Sequence, residues 1–306
     1  MSPSPTPLVV GTFSPSVLLR VARRTGVLDR HRLAVEEHSV PSSPGQFAAL
    51  ADGSISAALT SPDNVIAYRF LPGNPLGGTR DVRIIAAVDR GLGLGLYAGT
   101  GTAGVAALRG QVIGVDVAAS GFAFALYEIL SGAGLDREDY QLAELGSTPN
   151  RLQALLEGRC AATMLNAGND LKADDAGLVR LADVSSVASP YLGTVLAVQG
   201  DPSPAVRSLA TALLDTADDL RNGGSRAAAL EEAAATGLAS HLAERYVDRL
   251  LDPNQGLVPG GTVDVESLSS VIELRRRHLP PETAALLDGA VDASSGLVDE
   301  GSRTRR

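Results

Sequence analysis

A segment near the start of this chain occurs again further along it, and the duplication limits the possible folds more than any other feature. Gln46–Asn64 returns as Arg151–Asn169 at one constant offset, with no gap. Ala49/Leu50 match Ala154/Leu155, Gly53 matches Gly158, Ala57 matches Ala162 and Asn64 matches Asn169. Each copy reads as a helix, a glycine that ends it, a short buried strand and a polar loop. Two copies predict two similar lobes, and two lobes predict a ligand held between them.

The duplication extends beyond the matched residues. Leu8–Phe13 reads as a buried parallel strand, Ser14-Pro15-Ser16 as a helix cap and first turn, and Val17–Arg24 as the helix. Leu33–Val40, Gln46–Ala51 and Ile55–Thr60 continue the order strand, helix, strand. After a crossing segment, Gln111–Val117, Phe122–Leu130, Tyr140–Leu145, Thr148–Leu156 and Ala161–Leu165 repeat it. The β-α-β-α-β series specifies a doubly wound α/β sheet in each lobe.

Between the series, Arg83–Val88 reads as a strand, Asp89–Gly95 as a glycine-rich crossing and Tyr191–Val198 as a strand returning to the first lobe. Beyond Asp201 the periodicity is helical over Ala205–Arg221, Ala227–Thr236, Leu242–Leu251 and Val265–Arg277. Residues 1–90 and 195–306 are therefore expected to form lobe 1, and 91–194 lobe 2. Ser294–Arg306 is polar and expected to fray.

At 306 residues the chain is long enough for two such cores. Its net charge of −9 and the lack of a basic stripe argue against a nucleic-acid partner. No apolar run is long enough to span a bilayer. Met1–Pro7 has neither a charged start nor an apolar core, so the chain as written reads as cytoplasmic, or as periplasmic or extracellular if a signal peptide was trimmed. Four histidines and the single Cys160 show no metal spacing, and no P-loop or nucleophile elbow is present. No cofactor is called for. Gly91-x-Gly93-x-Gly95 lacks the third glycine that opens a dinucleotide-binding helix and reads as a hinge.

Leu108-Arg109-Gly110, the strand Val112–Asp116, Ser120-Gly121 and a helix running to Leu130 resemble the central stretch of type 2 periplasmic-binding-protein folds. The nearest group is the aliphatic-sulfonate, nitrate and thiamine-precursor solute-binding family, and the resemblance covers about residues 8–200. It implies two doubly wound α/β lobes with a ligand cleft between them, followed by C-terminal helices. It also implies a small-molecule ligand and, for an exported protein, an ABC permease as partner.

In sheets of this kind ligands sit beyond the carboxyl ends of the strands, where helix N-termini offer unpaired N–H groups. Four loops meet that condition: Thr12–Ser16, Ser61–Asn64, Ala118–Phe122 and Asn166–Asn169. The ligand candidates are Ser14, Ser61, Asn64, Ser120, Gly121, Asn166 and, at the second crossing, Tyr191. Each serine is equally readable as a plain helix cap, and each asparagine as a turn former. His38, at the end of the second strand, is the one histidine expected near the cleft mouth; His31, His241 and His278 are expected at the surface. Lys172 is the only lysine and reads as solvated beside Asp174 and Asp175.

Two classes of function follow. One is a cleft that closes on a small organic anion or zwitterion, by hinge motion at residues 88–96 and 190–195. The other is a cytosolic enzyme on the same scaffold. Gly11–Ser16 lacks the cysteine of desulfinase-like relatives, and Lys172 is misplaced for the pyrimidine-precursor synthases. A decarboxylase or dehydratase acting on a small organic acid remains, with His38 and Asp63 as its catalytic candidates. An intracellular sensor or carrier is not separable from the first class at this level.

Overall fold

In the computed structural model, which describes residues 6–303, β1 (Thr6–Thr12) pairs in parallel with both β2 (Leu33–Ser39) and β3 (Ala57–Thr60). α1 (Val17–Arg24) and the single turn α2 (Val27–Arg30) connect the first pair. α3 (Ser43–Asp52) leads to β3, and α4 (Pro62–Phe70) and β4 (Val82–Asp89) follow.

The second sheet is assembled from β5 (Gly95–Ala98), β6 (Val112–Val115), β7 (Gln141–Glu144), β8 (Ala162–Leu165) and β9 (Val179–Asp183). Its helices are α5 (Gly121–Gly132), α6 (Thr148–Leu156) and α7 (Asn169–Asp175). β10 (Thr194–Gln199) returns to the first sheet.

The strand orders are β2-β1-β3-β10-β4 and β7-β6-β8-β5-β9. In both, the repeat strand (β3 or β8) stands third, parallel to one neighbour and antiparallel to the strand that crosses between sheets. The repeat glycines are in place for a physical reason. Gly53 and Gly158 have φ of +79° and +67°, which end α3 and reverse the chain after α6. β3 and β8 are buried throughout, as strands covered on both faces must be.

The C-terminal helices are α8 (Pro204–Arg221), α9 (Arg226–Ala235), α10 (Ser240–Leu250), α11 (Val265–Arg276) and the short α12 (Pro281–Ala284) and α13 (Glu300–Arg303). α9 packs on α1, α10 on α7, and α11 on both α4 and α5, so this region touches helices of both sheets.

Several expectations are corrected. Lys172 lies on α7 and is not solvated beside its acidic neighbours. Its Nζ donates to the Thr236 carbonyl at 2.9 Å, while Asp174 and Asp175 pair with Arg245 and His241. β9 was not expected; it is a partly exposed edge strand carrying Arg180 and Asp183, and its alternation is weak. His278 is only partly exposed, its ring stacked on Phe124 at 5.6 Å. The tail does not fray at Leu297–Asp299. Ile84 N donates to Leu297 O at 2.8 Å and Asp299 N to Ile84 O at 2.9 Å, covering the open edge of β4. Residues 304–306 lie outside the described part.

Candidate functional site

The carboxyl ends of β1, β3, β6 and β8 and the two crossing segments enclose a cavity of about 130 Å³. The first turns of four helices line it: Ser16 and Val17 of α1, Ser61 and Asn64 of α4, Ser120 and Gly121 of α5, and Ser147 and Thr148 of α6. Ser16, Ser61 and Ser120 each turn the hydroxyl back to cap their own helix, accepting from Leu19 N, Asp63 N and Ala123 N at 3.2–3.3 Å.

The four helix starts are not equivalent. The Glu37 carboxylate accepts from Ser16 N at 2.6 Å, from Thr12 Oγ1 at 3.2 Å and from Arg20 Nε at 3.0 Å. An internal acid thus occupies the start of α1, and α4 carries Asp63 in its first turn, whereas α5 and α6 have no acid there.

The charged side chains lining the cavity are Arg151, Asp116 and Asp89. Arg151, 2% exposed, donates to Thr148 Oγ1 at 3.0 Å, to Met164 O at 3.2 Å and to Gly146 O, and its guanidinium lies 5.8 Å from the Phe122 ring centre. Burial pushes its pKa down to about 10, with the charge of Asp116 opposing that shift. Three guanidinium donors are engaged inside the lobe, and no hydrogen bond to a described residue takes the other two.

Asp116 directly follows β6. Its Oδ2 accepts from Ser43 Oγ at 3.4 Å, a contact between the two halves, and Oδ1 is buried with no partner among the described residues. Burial raises its pKa against the pull of Arg151 and Ser43. Asp89 lies where the first crossing leaves β4. Its Oδ1 accepts from Gly91 N at 2.8 Å, and burial pushes its pKa up to about 6.

The crossing segments themselves touch. An added Cβ at Gly193 would stand 2.3 Å from Gly91 Cα, and Gly193 N donates to Asp89 O at 2.9 Å. Glycine is required there for the backbones to meet.

Of the sequence candidates, Ser14, Ser61, Asn64, Ser120, Gly121 and Asn166 line the cavity together. Asn64 Nδ2 donates to Thr60 Oγ1 and Asn166 Nδ2 to Gly91 O, both at 3.2 Å. Asn169, the repeat partner of Asn64, does not line it; its Nδ2 donates to Asn166 O.

Three candidates are placed elsewhere. His38 is exposed and does not line the cavity. Glu37 faces α1, and the two-residue period of β2 turns its neighbour the other way. Asp63 is 1% exposed and held by Arg275 of α11, whose Nε and one terminal nitrogen donate to its two oxygens at 2.6 Å. Arg275 also donates to Ala119 O at 2.9 Å, across to the second half. Tyr191 is 4% exposed with its ring against Gly91; it lines a separate groove with Arg90 and Ser267, while Gly193 and Thr194 take the cavity side of the same crossing.

Gly121 has a further use. A Cβ there would stand 2.6 Å from that of Asp63, so it allows the two halves to approach. Sequence reasoning missed Arg151, Asp116, Asp89, Ser147 and Thr148. The repeat alignment held a signal for the first, since it sets Arg151 opposite the neutral Gln46.

Two mixed sheets of this order, joined by two crossings with a cavity at their strand ends, define the periplasmic-binding-protein fold, and the chain has it. Solved structures agree over nearly its whole length. A protein from Bordetella bronchiseptica RB50 superimposes with a TM-score of 0.77 at 16% identity, covering 97% of this chain and 96% of that one. The alkanesulfonate-binding protein SsuA from Xanthomonas axonopodis pv. citri, bound to MOPS, gives 0.71 at 18%, covering 97% and 99%. The periplasmic nitrate-binding protein NrtA from Synechocystis PCC 6803 gives 0.70 at 13%, covering 99% and 94%. No protein-family model and no curated protein sequence matches the chain. Among the described residues no helix is long and apolar enough to cross a membrane, and no three His, Cys, Asp or Glu side chains group to hold a metal.

Proposed function

We propose that the chain is a solute-binding protein that holds a small organic anion or zwitterion in the cleft between its lobes. The observation that carries this reading is Arg151: a buried cation with unused donors, standing on the first turns of α6 beside those of α4 and α5. Oriented backbone dipoles and a fixed positive charge suit the acidic group of a ligand. The sulfonate- and nitrate-binding neighbours support the same ligand class.

Ser14, Ser61, Asn64, Ser120, Gly121 and Asn166 would contribute with Arg151, Ser147 and Thr148. Residues 1–90 with 195–306 would move against 91–194, turning about the crossings at 88–96 and 190–195 where Gly91 meets Gly193. An ATP-driven permease is the fitting partner if the chain is exported. The decarboxylase or dehydratase reading loses the two residues it named, since His38 is outside the cavity and Asp63 is engaged by Arg275.

The test is a thermal-shift and calorimetric screen of alkanesulfonates, small carboxylates and nitrate, with mass spectrometry of the ligands afterwards. Saturable stabilisation with the ligand recovered unchanged is expected. If no anion stabilises the protein, or if bound ligand is consumed, the reading fails.

A further inference from the structure

We infer that the cleft selects a small molecule bearing a protonated amine beside its acidic group, with Asp116 receiving the amine. This rests on the binding reading above and narrows it to one ligand class. Arg151 and Asp116 line one cavity as opposite charges, and no direct hydrogen bond joins them among the described residues. A simple anion would satisfy Arg151 and leave Asp116 Oδ1 buried and unpaired. An unpaired buried acceptor costs free energy, more so when it is charged and beside a second negative group.

The unpaired oxygen of Asp116 is Oδ1 alone. Ser43 of α3 reaches its Oδ2, and the Tyr68 phenol of α4, its pKa pushed up to about 12 by burial, lies on the Ser43 side and leaves Oδ1 without a partner. One turn further along α3, Gln46 has both Nε2 bonds directed to backbone carbonyls and its Oε1 unpaired. The charged groups facing Asp116 are Arg151 from α6, which favours its ionised form, and Glu144 from β7, which opposes it. An ammonium supplies three donors and a second positive charge beside Oδ1, which no described residue pairs with. The same charge is what the cavity needs overall, since two aspartates oppose one arginine.

The test is titration calorimetry of the full chain at neutral pH with two matched pairs, 2-aminoethanesulfonate against ethanesulfonate and 3-aminopropanoate against propanoate. The amine-bearing member is expected to bind about tenfold more tightly or better. Asp116→Asn, checked for folding by circular dichroism, should bring each pair within about twofold of one another. Arg151→Gln should weaken both members of each pair together. Lowering the pH through the raised pKa of Asp116 should reduce the preference, because the protonated carboxyl no longer attracts the cation. Equal or tighter binding of the amine-free members, still dependent on Arg151, overturns the assignment of Asp116 and leaves the binding reading standing. A preference that survives Asp116→Asn also overturns it. Saturable binding of neither pair overturns the inference, and the binding reading falls with it only if the wider anion panel also fails to stabilise the protein.

Discussion

Gln46 and Arg151 occupy the same place in the two copies of the repeat, and the difference between them separates structural work from ligand work. Gln46 Nε2 donates to Gly11 O and Leu59 O at 3.0 and 3.2 Å; Arg151 donates to Met164 O at 3.2 Å. Leu59 and Met164 are themselves matching positions, so both side chains tie a repeat helix to the end of its repeat strand. A neutral amide is sufficient for that task in the first lobe, where Gln46 is wholly buried and does not line the cavity. The arginine does the same, adds a charge and lines the cavity. That excess over what the fold requires is the ground on which Arg151 is proposed as a ligand residue.

A second comparison runs through the helices that follow the repeat strands. α4 presents Asp63 to Arg275 and α7 presents Asp170 to Arg249, both arginines from the C-terminal helices, the first pair buried and the second largely so. The largest expected effect lies here. Asp63→Ala or Asp170→Ala leaves a buried guanidinium unpaired and should destabilise the protein by about 3–5 kcal/mol, read as a lower urea midpoint. Unequal losses would show that the C-terminal helices secure one lobe more firmly than the other.

Asp89 gives the next effect and has no charged counterpart in the second sheet's repeat. Its pKa rises from 3.8 to about 6, so the folded state holds a proton that the unfolded chain has released between those values. Stability from this group therefore falls as pH rises from about 4 to about 6, by roughly 3 kcal/mol, and is level above that. The Asp89→Asn profile of unfolding free energy against pH should lack that descent.

Arg151→Gln makes the second copy resemble the first. The helix tie should survive, while affinity for the tightest anion falls about a hundredfold in calorimetry. Loss of folding with no separate loss of affinity would erase the distinction drawn above. The smallest effects belong to Ser61→Ala and Ser120→Ala. Each removes a helix cap worth about 1 kcal/mol, visible in thermal unfolding. If the two cost the same in stability but only one weakens binding, the lobe that carries ligand choice is identified.

Much of the fold was legible because it depends on short-range patterning. α6 begins and ends where its spacing predicts, and the N-caps Ser61 and Ser120 sit where the rules for helix starts place them. The site was legible by position and less so by identity. Loops at strand ends could be listed, and six of the seven ligand candidates line one cavity. What sequence could not show is long-range: Arg275 lies 212 residues from the Asp63 it occupies, and Glu37 takes the start of α1 from the neighbouring strand. Tyr191 could be placed at a crossing, but not on one of its two faces. α7 and β9 were missed because a short charged helix and an exposed edge strand bury too little to leave a clear period.

The position of β10 has a consequence for the growing chain on the ribosome. β4 reaches the rest of its sheet only through β10, which enters between it and β3. Until residue 199 has been synthesised, the first sheet has a gap in its middle and β4 is without a strand to pair with. By then all five strands of the second sheet already exist and can close on one another. The half of the protein that begins later is thus in a position to finish first, and it can serve as a folded neighbour while the half that began earlier waits for its last strand.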